Sequence, residues 1–135
     1  MDYLHPILDD AAIARMSSLA LAHVGDAVYE ILVRSYLACG GTQPAKNLHS
    51  RTVALVRASA QAEAVQRILP MLAQAEQEVY RHGRNAKPKS VPKSASVAEY
   101  SQATALEALF GWLYLKQRYA RINELFGVIA EGFTE

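Results

Sequence analysis

The sequence predicts an all-α fold, and three features of the chain support this prediction. Apolar residues recur at helical spacing along the first long segment. Alanine, the residue with the highest helix propensity, is abundant in the second. The five prolines lie outside the long apolar runs, where they separate segments of helical length. We find no convincing strand. At 135 residues the chain is long enough to bury a core, and we expect one domain over residues 1–135.

The helical segments follow from local signals along the chain. In the first, Leu21, Val28 and Leu32 lie along one side, Ser17 or Ser18 is the candidate N-cap, and Gly40 follows the end. The third is short and is predicted to end at a glycine, Gly83. The predicted segments are 18–38, 46–69, 71–82, 95–117 and 118–133. The last two segments form either two helices or one bent helix.

Composition restricts the class of protein. The formal net charge of +1 gives no overall case for nucleic-acid binding. The single cysteine, Cys39, allows neither an internal disulfide nor a thiolate metal cluster, which fits a reducing compartment. The first residues do not have the pattern of a secretory signal, and no window of eighteen residues is uninterruptedly apolar. We therefore expect a cytoplasmic protein that does not associate with membranes.

Each of the two most apolar stretches contains a single carboxylate, Asp26 in the first and Glu107 in the second. An ionised carboxylate in apolar surroundings costs several kcal/mol unless it is paired, hydrogen-bonded or bound to a metal. Two such residues on separate helices could meet around a cation. The alternative is that each acid faces solvent or pairs with an arginine such as Arg34, Arg51 or Arg57.

The segment 80–93 (YRHGRNAKPKSVPK) carries basic charge without acids. A flexible basic loop can follow a phosphate backbone, and each neutralised phosphate adds salt-sensitive affinity. The alternative is a solvated loop that only keeps the protein soluble. Its five basic residues are Arg81, Arg84, Lys87, Lys89 and Lys93.

Other catalytic chemistries lack their sequence patterns. None of the four histidines follows a glutamate by three positions, and the histidines have no helical ligand spacing for zinc. A nucleophile elbow and a phosphate-binding glycine loop are also missing. Carboxylates without nitrogen or sulfur partners suit Mg²⁺ or Mn²⁺, which activate water against phosphodiesters. Two acids and a basic loop therefore suggest a nuclease.

Four stretches, taken in order, resemble one known family. They are 19–30 (LALAHVGDAVYE), 56–62 (VRASAQA), 84–87 (RNAK) and 101–115 (SQATALEALFGWLYL). Together they resemble Mini-ribonuclease III, the ribonuclease III catalytic domain without its double-stranded-RNA-binding domain. The resemblance covers nearly the whole chain.

The resemblance places Asp26, after Gly25, on the family's catalytic, metal-binding aspartate. It places Glu107, in the motif EAL, on the catalytic, metal-binding glutamate. Two further acids of the larger ribonuclease III enzymes are replaced here by Ala22 and Thr104. The family's four-acid site is thereby halved, so a weaker or more water-rich metal sphere is expected.

The resemblance further implies a homodimer that uses Mg²⁺, with Mn²⁺ as a substitute, to cut double-stranded RNA. It implies that the products carry 5′-phosphate and 3′-hydroxyl ends, and that the substrate is the precursor of large-subunit (23S) ribosomal RNA. Whether a ribosomal protein presents the RNA is a question that the resemblance leaves open. Val28, Leu32 and Tyr36 are expected at the dimer interface. The expected RNA-binding residues are Arg84, Asn85, Lys87 and Lys89, with Arg57 and Lys46 as weaker candidates.

Two other interpretations stay open at this point. The loss of two of the family's four acids fits a non-catalytic RNA-binding or ribosome-assembly module on the same fold. The other open interpretation is a structural helical interaction domain in which the two buried acids are incidental. Metal-dependent turnover distinguishes the enzyme from both.

Overall fold

Every regular element in the described part of the chain is helical, which confirms the all-α prediction. A computed structural model describes residues 1–41, 44–86, 90, 91, 93 and 95–133. Leu69–Met71 forms a short 3₁₀ turn. The helices are α1 (Asp10–Ala14), α2 (Ser18–Cys39), α3 (Ala45–Val56), α4 (Ala58–Ile68), α5 (Gln74–Asn85), α6 (Val97–Leu115) and α7 (Tyr119–Ala130).

Helix α2 begins and ends where its local signals predict. The Ser17 hydroxyl accepts a hydrogen bond from the backbone N–H of Ala20 at 3.1 Å, which satisfies one of the free donors of the first turn. Gly40 is the C-cap. On the buried face, Tyr29 packs edge-on against Phe110 of α6, with ring centroids 5.5 Å apart. The local signals therefore predict the limits of this helix, whereas its buried face is predicted only in part: Leu21 and Val28 are buried, but Leu32 is only partly buried.

Helix α6 lies at the centre of the fold and is packed against α2, α4 and α5. Ten of its residues are buried, so it is apolar around most of its circumference. Two glycines let it touch α2. A Cβ atom added to Gly25 would lie 1.6 Å from the backbone oxygen of Glu107, and one added to Gly111 would lie 2.0 Å from that of Leu21. At this crossing the two backbones are in direct contact.

The second predicted segment, 46–69, is two helices instead of one. Arg57 has extended backbone angles, φ −65° and ψ 157°, and it ends α3 and begins α4. The side-chain amide of Gln61 donates to the backbone oxygen of Val56 at 2.8 Å, which satisfies a carbonyl at the end of α3. High helix propensity predicts helix on both sides of this break but does not predict the extended backbone of Arg57 that makes the break.

The prediction that the third helix ends at Gly83 is wrong. Helix α5 continues to Asn85, and a Cβ on Gly83 would lie 2.9 Å from the Cα of Ala105 on α6. The glycine allows α5 to approach α6 closely. The final segments are two separate helices, and Gln117 between them has φ 60°.

The three α2 residues expected at a dimer interface differ in their packing within the chain, and their interface role stays a prediction. Val28 is buried in the core of its own chain, and Leu32 and Tyr36 pack against that core. The apolar side chains that α2 leaves exposed are Leu19, at 44% exposure, and Ile31, at 60%. Among the described residues, no helix combines the length and apolar character that crossing a membrane requires.

We predict that Gly25→Ala destabilises the protein by about 3 kcal/mol, because the new methyl group overlaps the backbone of α6 and forces the helices apart. Urea denaturation at pH 7 measures the change. Gly127→Ala is the control, since nothing lies within 4 Å of its added Cβ. That variant should gain up to about 1 kcal/mol from alanine's helix propensity. Equal stabilities for the two variants would contradict the close crossing.

Candidate active site

The two carboxylates singled out in the sequence meet at the crossing of α2 and α6. Asp26 follows Gly25 on α2, and the backbone oxygen of Glu107 is the atom closest to the position of a Cβ on Gly25. The two side chains interact directly. Glu107 is partly buried, whereas Asp26 is exposed, so the expectation of two acids in apolar surroundings is right in part for Glu107 and wrong for Asp26.

Neither acid follows the alternative of pairing with an arginine. In the described part of the chain, no ion pair joins Asp26 or Glu107 to a basic side chain. Glu30, one turn beyond Asp26, is instead paired with Arg34, with 3.1 Å between Oε2 and Nη2. The negative charge at the crossing is therefore not neutralised by a neighbouring arginine or lysine from the described residues.

The surroundings of Glu107 favour its protonated form in the metal-free protein. Burial raises the pKa of Glu107, a hydrogen bond from Gln61 lowers it, and the charge of Asp26 raises it again. The net effect moves this pKa from 4.5 to about 7. Burial, together with the charge of Glu107, also raises the pKa of the Tyr29 hydroxyl, so this phenol stays neutral. A divalent cation between the two carboxylates would replace the proton on Glu107.

The donor set fits a hard divalent cation. Two carboxylates suit Mg²⁺ or Mn²⁺, which keep several waters and take further oxygen ligands from substrate phosphates. No group of three or more histidine, cysteine, aspartate or glutamate side chains that could hold a metal ion occurs among the described residues, so a closed zinc site has no support there.

The two positions that lack the family's acids are built into the packing. Thr104 is buried, and its Oγ1 donates to the backbone oxygen of Tyr100 at 3.0 Å. Ala22 is buried in a small apolar cluster with Leu21 and Ala108. Neither side chain offers a charged ligand, which leaves Asp26 and Glu107 as the carboxylates of the site.

Gln61 belongs to the site and was not singled out from the sequence. It is 3% exposed, and its Nε2 donates to Oε2 of Glu107 at 3.1 Å. Its Oε1 is buried and finds no hydrogen-bond partner among the described residues, which costs about 1 to 3 kcal/mol. The contact joins positions 46 residues apart, so no periodicity or local spacing signals it.

A cavity of about 240 Å³ opens beside Glu107. It lies between the start of α4 and the first half of α6, and Arg57 contributes the positive charge of its lining. The residues that line it are Val56, Arg57, Ala58, Gln61, Ala95, Tyr100, Ala103, Thr104 and Glu107. The cavity thus joins the acid site to one predicted RNA-binding residue.

The predicted basic loop begins later than the sequence suggested. Arg84 and Asn85 are exposed in the last turn of α5 and are not part of a loop. Lys87 and Lys89 lie outside the described residues. Lys46 and Arg57 are exposed on α3 and at the α3–α4 junction.

Comparison with known proteins identifies the family. Residues 19–118 match the model of the Ribonuclease III domain. Mini-ribonuclease 3 of Thermoanaerobacter sp. (strain X514) is 40% identical over 129 residues, which are 96% of this chain and 91% of that protein. Mini-ribonuclease 3 of Symbiobacterium thermophilum is 42% identical over 113 residues, 84% of this chain and 87% of that protein.

A solved structure agrees with the sequence matches. The crystal structure of protein FN1578 from Fusobacterium nucleatum superposes with a TM-score of 0.80 at 31% identity, covering 89% of this chain and 96% of that one. The chain therefore belongs to the ribonuclease III family, a family of endoribonucleases. The resemblance to Mini-ribonuclease III seen in the sequence is confirmed.

The raised pKa of Glu107 predicts a pH-dependent stability of the metal-free protein. Between pH 4.5 and about 7 the folded state binds more protons than the unfolded state, so stability falls as the pH rises through this window. Glu107→Gln removes this loss. In chelator, the variant should match the wild type near pH 4.5 and exceed it near pH 8 by about 1 to 2 kcal/mol.

Urea denaturation at the two pH values measures this difference. Glu63→Gln, which changes an exposed carboxylate on α4, is the control for removing one negative charge. The same stability difference at both pH values would show that Glu107 is not buried as described.

Proposed function

We propose that the protein is a double-strand-specific endoribonuclease whose catalytic, metal-binding residues are Asp26 and Glu107, acting with Mg²⁺ or, in its place, Mn²⁺. The observation that supports this proposal is the direct contact of the two carboxylates at the glycine crossing of α2 and α6. Membership of the ribonuclease III family supplies the reaction class. We further propose that residues 1–135 act as one catalytic domain in the cytoplasm.

The two carboxylates have different tasks in this proposal. Glu107 is held in place by partial burial and by the amide of Gln61, whereas Asp26 is exposed to solvent. A divalent cation bound to both would supply a water of lowered pKa as the nucleophile and stabilise the leaving oxygen of the phosphodiester. Attack on phosphorus with cleavage of the bond to O3′ leaves a 5′-phosphate and a 3′-hydroxyl.

Exposed basic and amide side chains suit an RNA backbone. Arg57 lines the cavity beside Glu107, and Arg84 and Asn85 end the helix that Gly83 packs against α6. A-form RNA presents phosphates and 2′-hydroxyls across a shallow minor groove, which such side chains can reach. We include Lys87 and Lys89 in the proposed RNA-binding set on the family resemblance.

We propose that the working form is a homodimer in which each copy cuts one strand. A two-fold dimer matches the opposite polarity of the two strands of a duplex. Leu19 and Ile31, exposed on α2, offer apolar surface for it. The resemblance to Mini-ribonuclease III supports the precursor of 23S ribosomal RNA as the substrate, with a ribosomal protein as a candidate partner that presents it.

A non-catalytic RNA-binding or ribosome-assembly module is the second candidate function. The observation that favours it is the replacement of two family acids by Thr104 and Ala22, both buried. Both functions require RNA binding that weakens with salt, but only the enzyme requires metal-dependent cleavage.

We expect Asp26→Asn to lower the cleavage rate by more than about 100-fold, because removal of a charged metal ligand costs several kcal/mol of transition-state stabilisation. Cleavage of a labelled RNA duplex at low salt, with Mg²⁺ and with chelator, measures this. Asp10→Asn is the matched control, since Asp10 is exposed and pairs with Lys116 at 2.9 Å. Unchanged cleavage by the Asp26 variant would refute the proposed site, and duplex binding without cleavage by the wild type would favour the second candidate.

Arg84→Ala should weaken duplex binding to a similar degree for different sequences and reduce the log-log salt slope by about 1, because one phosphate contact is lost. Binding titrations at several salt concentrations give the slope. Arg15→Ala, which removes an exposed arginine that follows α1, serves as the charge-matched control. If the slope is the same for both variants, Arg84 does not contact the backbone.

A further inference from the structure

Gln61 is a buried amide that links three parts of the molecule. It lies in the first turn of α4, where its backbone N–H donates to the backbone oxygen of Arg57 at 3.0 Å. Its side-chain Nε2 donates to the backbone oxygen of Val56 at 2.8 Å and to Oε2 of Glu107 at 3.1 Å. One NH₂ group therefore satisfies the end of α3 and contacts the acid site at the same time.

The orientation of the amide is fixed by its two acceptors. The Val56 carbonyl can only accept, so the NH₂ end of Gln61 must face it, and the same NH₂ group then donates to Oε2 of Glu107. Its Oε1 then points away, is buried, and has no donor among the residues that the structure describes. The side chain cannot rotate to satisfy this oxygen without losing both bonds.

This arrangement is unfavourable for stability. An apolar side chain of similar length would fill the same space without burying an unpaired oxygen. Such a side chain would, however, lose both bonds of the NH₂ group, the one to the Val56 carbonyl and the one to the Glu107 carboxylate. The bond to Glu107 is the one that ties this cost to the acid site.

We propose that Gln61 is a positioning residue, which fixes the Glu107 carboxylate through Oε2 so that its other oxygen is presented to a divalent cation shared with Asp26. This inference rests on the proposed function. Groups that hydrogen-bond to metal ligands restrict ligand rotation, and their removal typically weakens metal affinity or activity 10- to 100-fold. Here the restriction is strong, because the amide is itself fixed by the backbone of α3.

The test compares Gln61→Met with a matched control, Gln77→Met. Gln77 also donates from Nε2 to the backbone oxygen five residues earlier, that of Leu72, at 2.9 Å, but it does not contact Glu107. Both variants lose one amide-to-carbonyl bond, and only Gln61→Met also loses the contact with Glu107. Urea denaturation first establishes that both are folded.

Calorimetric titration with Mn²⁺ in the absence of RNA is the main measurement. We expect the dissociation constant of Gln61→Met to rise about 10-fold, and that of Gln77→Met to change less than twofold. The cleavage rate of Gln61→Met should be reduced at limiting Mn²⁺ and recover at saturating Mn²⁺, with the KM for RNA unchanged. Equal Mn²⁺ affinities for the two variants would overturn the inference.

A second measurement uses the wild type and does not depend on the folding of a variant. In a nitrogen–proton correlation spectrum, the side-chain NH₂ signals of Gln61 should shift as Mg²⁺ is added, while those of Gln77 should not. Backbone signals of Asp26 that move while those of the Gln61 amide stay in place would also overturn the inference. A wild type that binds no divalent cation would remove the proposed function itself, and the inference with it.

Discussion

The close contact of α2 and α6 at Gly25 and Gly111 is the constraint on which the rest of the structure depends. Each glycine lies where a Cβ would occupy the backbone of the opposite helix, so the two helices can touch only because both residues lack side chains. The contact brings Asp26 close enough to Glu107 for its charge to raise the pKa of that carboxyl. Helix α6 is apolar on nearly every side because it is enclosed by α2, α4 and α5.

The contact has an electrostatic cost in the metal-free protein. Partial burial and the neighbouring charge of Asp26 raise the pKa of Glu107 to about 7, so this carboxyl holds its proton more strongly than a free one. Binding of a divalent cation would offset both the burial and the repulsion. The unpaired Oε1 of Gln61 adds to the cost at the same place. Active sites commonly carry unfavourable groups of this kind, which packing elsewhere compensates.

Local signals in the sequence predicted the helix limits that depend on residue types, but not the features that depend on tertiary contacts. The cap at Ser17 and the end at Gly40 follow from residue types next to a periodic apolar run, and the structure has both. The break at Arg57 and the short helix α1 were not predicted from residue types, and the continuation of α5 through Gly83 accompanies its close packing against Ala105 of α6. The family motifs identified the acids, but the contact of Gln61 with Glu107, across 46 positions, has no motif.

The central claim is that the glycine crossing builds one cation site from one residue of α2 and one of α6. Crystals grown with Mn²⁺ and measured at its absorption edge test this claim most directly. The account predicts one strong anomalous peak bonded to the carboxylates of both Asp26 and Glu107, with Gln61 still donating to Glu107. A peak bonded to only one of the two carboxylates, or to neither, would contradict it.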